Sequence, residues 1–434
     1  MKKKVLIITY YWPPSGGGGV QRWLKFAKYL PQLGWEPVVV SPENADYPTV
    51  DTSLLNDIAP EVTELKVPIW EPYQLFKVVS GKKKHEKVNT GILETGKKQP
   101  ATMRLALWLR GNLLIPDPRV FWVRPAVREL SKRIAELKPD VLVTTGPPHS
   151  VHLIGMKLSR KFGLPWLADF RDPWSTIDYL DWFKPTALAR RLQRNLEYRV
   201  LTKASAVLTV SETWADELRQ LGARQVHVIT NGFDDDDFSD RPAVTESAEF
   251  VLTHAGIITS FRNPSVLWKV LDDLLAENEA FALRFRLRLI GTVDEQVKAE
   301  IALLKNLQPK TEWLGYLPHN EVLNEYRQAS LLLLLTNQSG NAAGHIPGKL
   351  FEYLAAQKPV LALGDPQGDV ARILKETRTG VAIPATEENA IRDFVSGALT
   401  HPMSSEGKNI QAYSRQRLTR TLSGMLEALI LTKK

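Results

Sequence analysis

Two apolar runs in this chain each end in a glycine-bearing polar loop that opens a helix, and that pattern narrows the folds available to it. The first, Lys4 to Ile8, leads into Tyr10-Tyr11-Trp12-Pro13-Pro14-Ser15-Gly16-Gly17-Gly18-Gly19-Val20-Gln21 and then an amphipathic helical stretch. The second is a run of five leucines, Leu331 to Leu335, ending in Asn337-Gln338-Ser339-Gly340-Asn341-Ala342-Ala343-Gly344. That loop feeds Pro347-Gly348-Lys349-Leu350-Phe351-Glu352, and another apolar run, Pro359 to Leu363, follows. Strand, Gly-bearing loop and helix start together mark the edge at which parallel α/β sheets bind ligands. Two such half-sites predict two domains facing a central cleft, with a substrate between them.

With 434 residues, 44% of them hydrophobic, the chain is long enough for two or three full cores. It has no cysteine. Disulfides, thiolate metal sites and a cysteine nucleophile are therefore excluded. A formal charge of +8 favours anionic partners such as nucleotides, lipid phosphates or nucleic acid. No RNA- or DNA-binding motif accompanies the charge, so nucleic acid is not expected as a partner. The first residues enter a strand directly and no apolar run approaches the roughly 18 residues of a membrane span. The expectation is a cytoplasmic protein, or one held peripherally at the inner face of a membrane.

Apolar runs alternate with helical patterns throughout, as in doubly wound parallel sheets. In the first half, strands are predicted at Val5 to Ile8, Pro37 to Val40, Val141 to Val143, Trp166 to Ala168 and Ala206 to Val210. Helical periodicity marks Gln21 to Leu33, Arg124 to Leu137 and Val151 to Phe162. The scheme restarts at Phe250 to Thr253 and continues through Arg286 to Ile290, the leucine run, Pro359 to Leu363 and Gly380 to Ile383. Between the halves lie Asn231-Gly232-Phe233-Asp234-Asp235-Asp236-Asp237-Phe238 and a polar stretch containing Pro242. The hinge is placed there, giving domains 1–240 and 241–434, with the last helix able to pack back on the first domain. The four aspartates suit a hard cation in principle, but at a hinge after an Asn-Gly turn they read as solvated linker. One segment breaks the rhythm: from about Lys77 to Arg110 it carries Lys82-Lys83-Lys84 and Lys97-Lys98, then a basic, Trp108-bearing helix.

The N-terminal glycines can bring backbone N–H groups to an anion at a helix start, with Gly17 and Gly18 the candidate contacts. The loop departs from the dinucleotide fingerprint, because Gln21 stands where the third glycine belongs, and no Gly-Lys-Ser/Thr of a Walker loop follows. Glu352 is expected near the first turn of its helix, where a carboxylate can accept two ribose hydroxyls. Lys349, one turn earlier on the same face, is within reach of a diphosphate. A Lys and Glu three apart are also an ordinary surface pair. The flanking loop and strand favour a site.

The stretch Gly348-Lys349-Leu350-Phe351-Glu352-Tyr353-Leu354-Ala355-Ala356, followed by Lys358-Pro359-Val360-Leu361-Ala362, resembles the donor-site signature of family 4 glycosyltransferases, which have the GT-B fold. The first glycine loop resembles that family's first loop. Ala204 to Ser211 together with Ile229 to Asp234 resembles its interdomain segment. The resemblance implies an α/β GT-B architecture of two Rossmann-like doubly wound domains, and sugar transfer from a nucleotide-sugar donor to an acceptor hydroxyl. It further implies retention of anomeric configuration, with no cofactor and no metal. Glu352 would bind the donor ribose, and Arg262, six after Gly256, would hold the diphosphate. The chain departs from the family pattern at three places. Ile257 stands where a second basic residue is usual, Gly344 where a Glu often contacts the donor sugar, and Arg171 roughly where a His precedes Asp.

Catalytic candidates in the first domain follow two strands. His149 lies in Thr144-Thr145-Gly146-Pro147-Pro148-His149, and Arg171 and Asp172 in Asp169-Phe170-Arg171-Asp172-Pro173-Trp174. His149 could equally cap its helix, His152 is expected to pack inside, and Arg171 with Asp172 could form an internal salt bridge. The acceptor, a saccharide or a lipid-linked saccharide, would enter over the first domain. Its lysines and Trp108 suit an anionic membrane surface, as in polysaccharide or lipopolysaccharide assembly. A nucleotide-sugar epimerase of the same fold and a non-catalytic sugar-nucleotide-binding scaffold are the alternatives.

Overall fold

The computed structural model describes residues 2–71, 101–238, 249–337, 342–400 and 407–432. Lys82 to Lys84, Lys97, Lys98, Gln338 to Asn341 and Pro242 lie outside them. The chain forms two compact units, Met1–Thr230 with Arg415–Lys434, and Asn231–Ser414. The 240/241 boundary read from sequence lies among residues outside those described.

The first unit is built on seven parallel strands, β1 (Lys3–Thr9), β2 (Trp35–Pro42), β3 (Thr63–Val67), β4 (Val141–Gly146), β5 (Trp166–Phe170), β6 (Ala206–Thr209) and β7 (Val226–Val228). Their order is β3-β2-β1-β4-β5-β6-β7. The sheet grows one way from β1 and the other way from β4, so the direction of winding reverses between those two strands. Loops leaving the carboxyl ends of strands at such a point diverge and leave a crevice. Strand side chains alternate between faces. Leu6 and Ile8 therefore join one core, with Ala126, Leu130, Ile154 and Leu158 from the helices Val123–Leu137 and Ser150–Phe162. Val5 and Ile7 join the other, with Trp23 and Leu24 from the helix Gly18–Tyr29 and Leu418, Leu422 and Leu426 from the final helix Arg415–Leu431. That helix is fixed further by Trp35 Nε1, which donates to Ser423 Oγ at 2.9 Å, and by Lys3 with Glu427 at 2.6 Å.

The second unit repeats the plan with six parallel strands, β8 (Phe250–Ala255), β9 (Phe285–Ile290), β10 (Thr311–Gly315), β11 (Leu331–Leu335), β12 (Val360–Leu363) and β13 (Gly380–Ile383). The order β10-β9-β8-β11-β12-β13 puts the reversal between β8 and β11. The five leucines of β11 divide between the faces. Leu331, Leu333 and Leu335 enter one core, while Leu332 and Leu334 enter the other. Replacing Leu333 by Ala should cost about 2–5 kcal/mol, as for other fully buried leucines. Strands β3, β7 and β10 were not read from the sequence; each lies at a sheet edge.

The aspartate run is not a solvated linker. Phe233 and Phe238 are buried in the core of the second unit, and Phe233 N donates to Tyr413 O at 3.2 Å. Asp234 is itself buried, and Asp235–Phe238 is a short 3-10 helix. The two apolar residues bracketing the acids draw the run onto the domain. Among the described residues no three His, Asp or Glu side chains are grouped to hold a metal ion, and no helix is long and apolar enough to cross a membrane.

Candidate functional site

In the second unit the site grows from the end of β8. The strand stops at Gly256, whose φ of 136° an L side chain rarely adopts. The place where a β-carbon would stand is taken by the ammonium of Lys349, which donates to the Ala255 carbonyl. Lys349 is the first residue of the helix Lys349–Ala356, introduced by Pro347 and Gly348. Tyr353, one turn on, locks that helix to the sheet. Its hydroxyl accepts from Ala255 N and donates to Leu333 O, each at 3.3 Å.

Burial, and then the charge of Arg262, lower the Lys349 ammonium to about 8, and Glu352 only partly restores it. Burial also depresses Arg262, which ends the 3-10 turn Ser260–Arg262. Two cations in a half-dry setting, beside a glycine turn and a helix start, form a pocket of positive potential suited to an oxyanion. His254 lies beneath them with 1% exposure. Its Nδ1 donates to Leu333 O at 2.9 Å, since a carbonyl only accepts, and its Nε2 has no hydrogen-bond partner among the described residues. Burial, and secondarily Lys349, hold this ring neutral with a pKa of about 3.

Glu352 sits in the first turn of the same helix, as expected. Burial raises its carboxyl above the ordinary range; His319 opposes this, Asp237 reinforces it, and Lys349 and a hydrogen bond with Tyr326 oppose it further. Asp237 lies 3.5 Å from His319 Nε2, so the end of the aspartate run borders this group.

In the first unit, Gly17 and Gly18 are exposed at the start of the helix Gly18–Tyr29, and among the described residues no atom outside the adjoining chain stands within 4 Å of where their β-carbons would be. Their backbone is open to a ligand. Arg171 does not form the salt bridge with Asp172. Its Nε donates to Gly146 O at 3.2 Å, and its two terminal nitrogens donate to Gly19 O and Pro147 O, both at 2.6 Å. One guanidinium, just past β5, thereby ties together the end of β4 and the first turn of the helix that follows β1. Burial raises the Asp172 carboxyl, against the pull of Arg171.

Asp169 is the buried anion of this edge. Arg22 reaches it through Nε at 3.3 Å and a terminal nitrogen at 3.2 Å, with Trp23 Nε1 at 2.6 Å and Thr145 Oγ1 at 2.8 Å. His149 stacks on Trp174 with ring centroids 5.0 Å apart and planes 7° from parallel. Both its ring nitrogens are shut from solvent, without a hydrogen-bond partner of good geometry among the described residues, and burial keeps the ring neutral. His152 packs inside, its Nδ1 2.9 Å from Thr144 Oγ1.

Each unit thus carries a glycine turn beyond the carboxyl end of its first strand. Residues 17–232 match the glycosyl transferase 4-like domain, and residues 249–401 match glycosyl transferases group 1. The chain belongs to the GT-B glycosyltransferases. Solved structures share its fold. A glycosyltransferase from Rickettsia africae aligns over 99% of both chains at 16% identity, with a TM-score of 0.62. Sucrose-phosphate synthase from Thermosynechococcus elongatus aligns over 99% of this chain and 97% of its own at 15% identity, TM-score 0.56. A protein assigned as a UDP-N-acetylglucosamine 2-epimerase from Listeria monocytogenes aligns over 100% and 98% at 12% identity, TM-score 0.57. No curated protein matches the sequence.

Sequence reasoning placed Lys349, Glu352 and Arg262 of this glycosyltransferase in one site, and the second unit brings them together. It missed three residues. His254, two before Gly256, was visible only as a histidine at a strand end. Tyr326 and Tyr353 looked like core aromatics, and nothing in their spacing showed that their hydroxyls meet Glu352 and the β8 backbone. In the first unit it passed over Arg22 and Asp169, the buried pair.

Proposed function

We propose that this glycosyltransferase draws its sugar from a nucleotide-sugar donor bound on the second unit, and passes it to the hydroxyl of a saccharide or lipid-linked acceptor. The observation that carries the reading is the pair of cations, Lys349 and Arg262, at the Gly256 turn, with the Glu352 carboxylate one helical turn beyond Lys349. A nucleoside diphosphate has the matching order of groups: two phosphates for the cations, then ribose hydroxyls for the carboxylate. As the glycosidic bond breaks, negative charge grows on the departing diphosphate, and the two cations are already placed to stabilise it. Lys349 then supplies the second positive charge that Ile257 does not.

Retention of configuration and independence of metal are carried by the family 4 resemblance. Gly17 and Gly18 are the donor contacts assigned to the first unit. His149 and Asp172 are its catalytic-side candidates, and the hydrogen bonds of Arg171 give that residue a positioning role. A place in cell-surface polysaccharide or lipopolysaccharide assembly, at an anionic membrane face, is supported by the helix Ala101–Leu113. There Leu105, Trp108 and Leu113 are exposed beside Arg104 and Arg110. Each basic residue near an anionic bilayer contributes about 1 kcal/mol, screened by salt.

Calorimetric titration with nucleoside diphosphates and their parent nucleosides tests the donor site. Arg262→Ala should weaken diphosphates far more than nucleosides. Glu352→Ala should weaken both, by about 1–3 kcal/mol, through the lost ribose hydrogen bonds. Equal losses for both ligands in Arg262→Ala would remove Arg262 from the diphosphate. Transfer that survives EDTA is expected. Epimerisation of a nucleotide sugar without any acceptor would support the alternative enzyme, and an absence of both reactions would support the scaffold.

A further inference from the structure

The first unit contains a cavity of about 140 Å³ whose wall includes Arg110, Asp117, Arg119, His149, Trp174, Phe183 and Gln193. Most of its polar groups are already engaged. Gln193 accepts from Trp174 Nε1 at 2.7 Å and donates to Pro116 O at 3.0 Å. Asp117 accepts from Ser150 N at 2.8 Å, Ser150 Oγ at 2.9 Å and Arg119 N at 2.9 Å. Arg119 is paired with Glu71 at 3.3 Å. His149 contributes a neutral ring stacked on Trp174.

One charge is left over. Arg110 lies with its guanidinium 4.6 Å from the centre of the Phe183 ring and forms no ion pair among the described residues. The two residues that follow it are held to the segment Phe183 to Thr186. Phe183 packs where a β-carbon of Gly111 would stand, and Asn112 Oδ1 accepts from Thr186 N at 2.7 Å. The helix Ala101–Leu113 is thereby pinned beside the cavity.

We propose that this cavity seats one sugar ring of the acceptor, and that the ring carries an oxyanion, carboxylate or phosphate, paired with Arg110. The inference rests on the glycosyltransferase reading and adds the charge class of its acceptor. A cavity of roughly 150 Å³ holds a single six-membered ring, which fits this space better than an oligosaccharide. His149, Trp174 and Phe183 line the cavity with apolar ring surface against which the C–H groups of such a ring can pack. A guanidinium matches a carboxylate or phosphate with two parallel hydrogen bonds. A neutral sugar would leave Arg110, which among the described residues meets only the Phe183 ring, without a counter-charge.

The test is calorimetric titration of the full chain with glucuronic acid, glucose 6-phosphate, glucose and dodecyl phosphate, with UDP and GDP titrated separately. The two anionic sugars are expected to bind on the order of ten-fold or more tighter than glucose, the effect of one charge-assisted pair. Arg110→Ala should abolish that preference, Arg110→Lys should keep part of it, and nucleotide affinity should be the same in both variants. Equal binding of glucose and the anionic sugars overturns the proposal. So does a preference that survives Arg110→Ala, or no binding of either anionic sugar at millimolar concentration. Dodecyl phosphate binding alone would replace the ring with a lipid headgroup. Failure of the nucleotides to bind, with the anionic sugars binding through Arg110, would instead sink the donor-site reading and leave this pocket standing.

Discussion

The ammonium of Lys349 occupies the place where any residue other than glycine at position 256 would put its β-carbon. Two residues 93 positions apart thus share one volume, and the glycine is required twice over, for its φ of 136° and for the lysine. Gly256→Ala should therefore strain the turn by about 1–3 kcal/mol and push the ammonium aside. Diphosphate affinity should fall while nucleoside affinity holds, measured by titration on a variant whose melting temperature shows it folded. Unchanged diphosphate affinity would mean the ligand does not use this contact.

The same crowding makes the site responsive to mild alkali. With its pKa at about 8, Lys349 is charged below that pH and loses its proton above it. Diphosphate affinity should weaken as pH rises from 7 to 9. Because the bound anion favours the charged lysine, binding near pH 8 should take up protons, detected as a dependence of the measured heat on buffer ionisation enthalpy. Lys349→Met should bind more weakly throughout and show a flattened pH profile over this range.

Arg22 and Asp169 are both almost fully buried, with side-chain exposures of 1% and 0%. Removing the carboxylate by Asp169→Ala strands a buried guanidinium and two further donors, Trp23 Nε1 and Thr145 Oγ1. The expected loss is about 3–5 kcal/mol, read from chemical denaturation of the first unit. A loss below about 1 kcal/mol would show that water enters and solvates the arginine.

Acid should act on both units through their buried histidines. Burial lowers His152 and His254 to about 3, while in an unfolded chain each would titrate near 6.5. Between those values the unfolded chain binds more protons than the folded one, so stability falls as pH drops. The slope is about 1.4 kcal/mol per pH unit for each histidine. His152→Gln should reduce that slope for the first unit, and an unchanged slope would assign the acid sensitivity to other groups.

The central strands were legible because they are buried on both faces and therefore written as unbroken apolar runs, as in Val5 to Ile8 and Leu331 to Leu335. Strands β3, β7 and β10 carry exposed or half-exposed residues such as Thr63, Glu64, His227 and Glu312, and no such run betrays them. Glu352 and Lys349 were legible because their spacing along one helix is local. The use of Lys349 at Gly256, of Arg171 for three carbonyls and of Arg22 for Asp169 depends on partners brought together only by the fold. Periodicity holds no record of those pairings. The aspartate run was misjudged because charge was weighed without the two phenylalanines that anchor it.

The final helix supplies Leu418, Leu422 and Leu426 to the core of the first unit, although the whole second unit is encoded between them and the rest of that core. During synthesis the first unit consequently emerges with part of one face of its β-sheet uncovered, and it stays so until the helix Arg415–Leu431 has left the ribosome. The contiguous second unit can close first, reversing the usual N-terminal-first order of assembly. Chains cut short before Arg415 should then hold a folded second unit beside an unfinished, aggregation-prone first one, which makes the helix Arg415–Leu431 a checkpoint for a core begun more than 400 residues earlier.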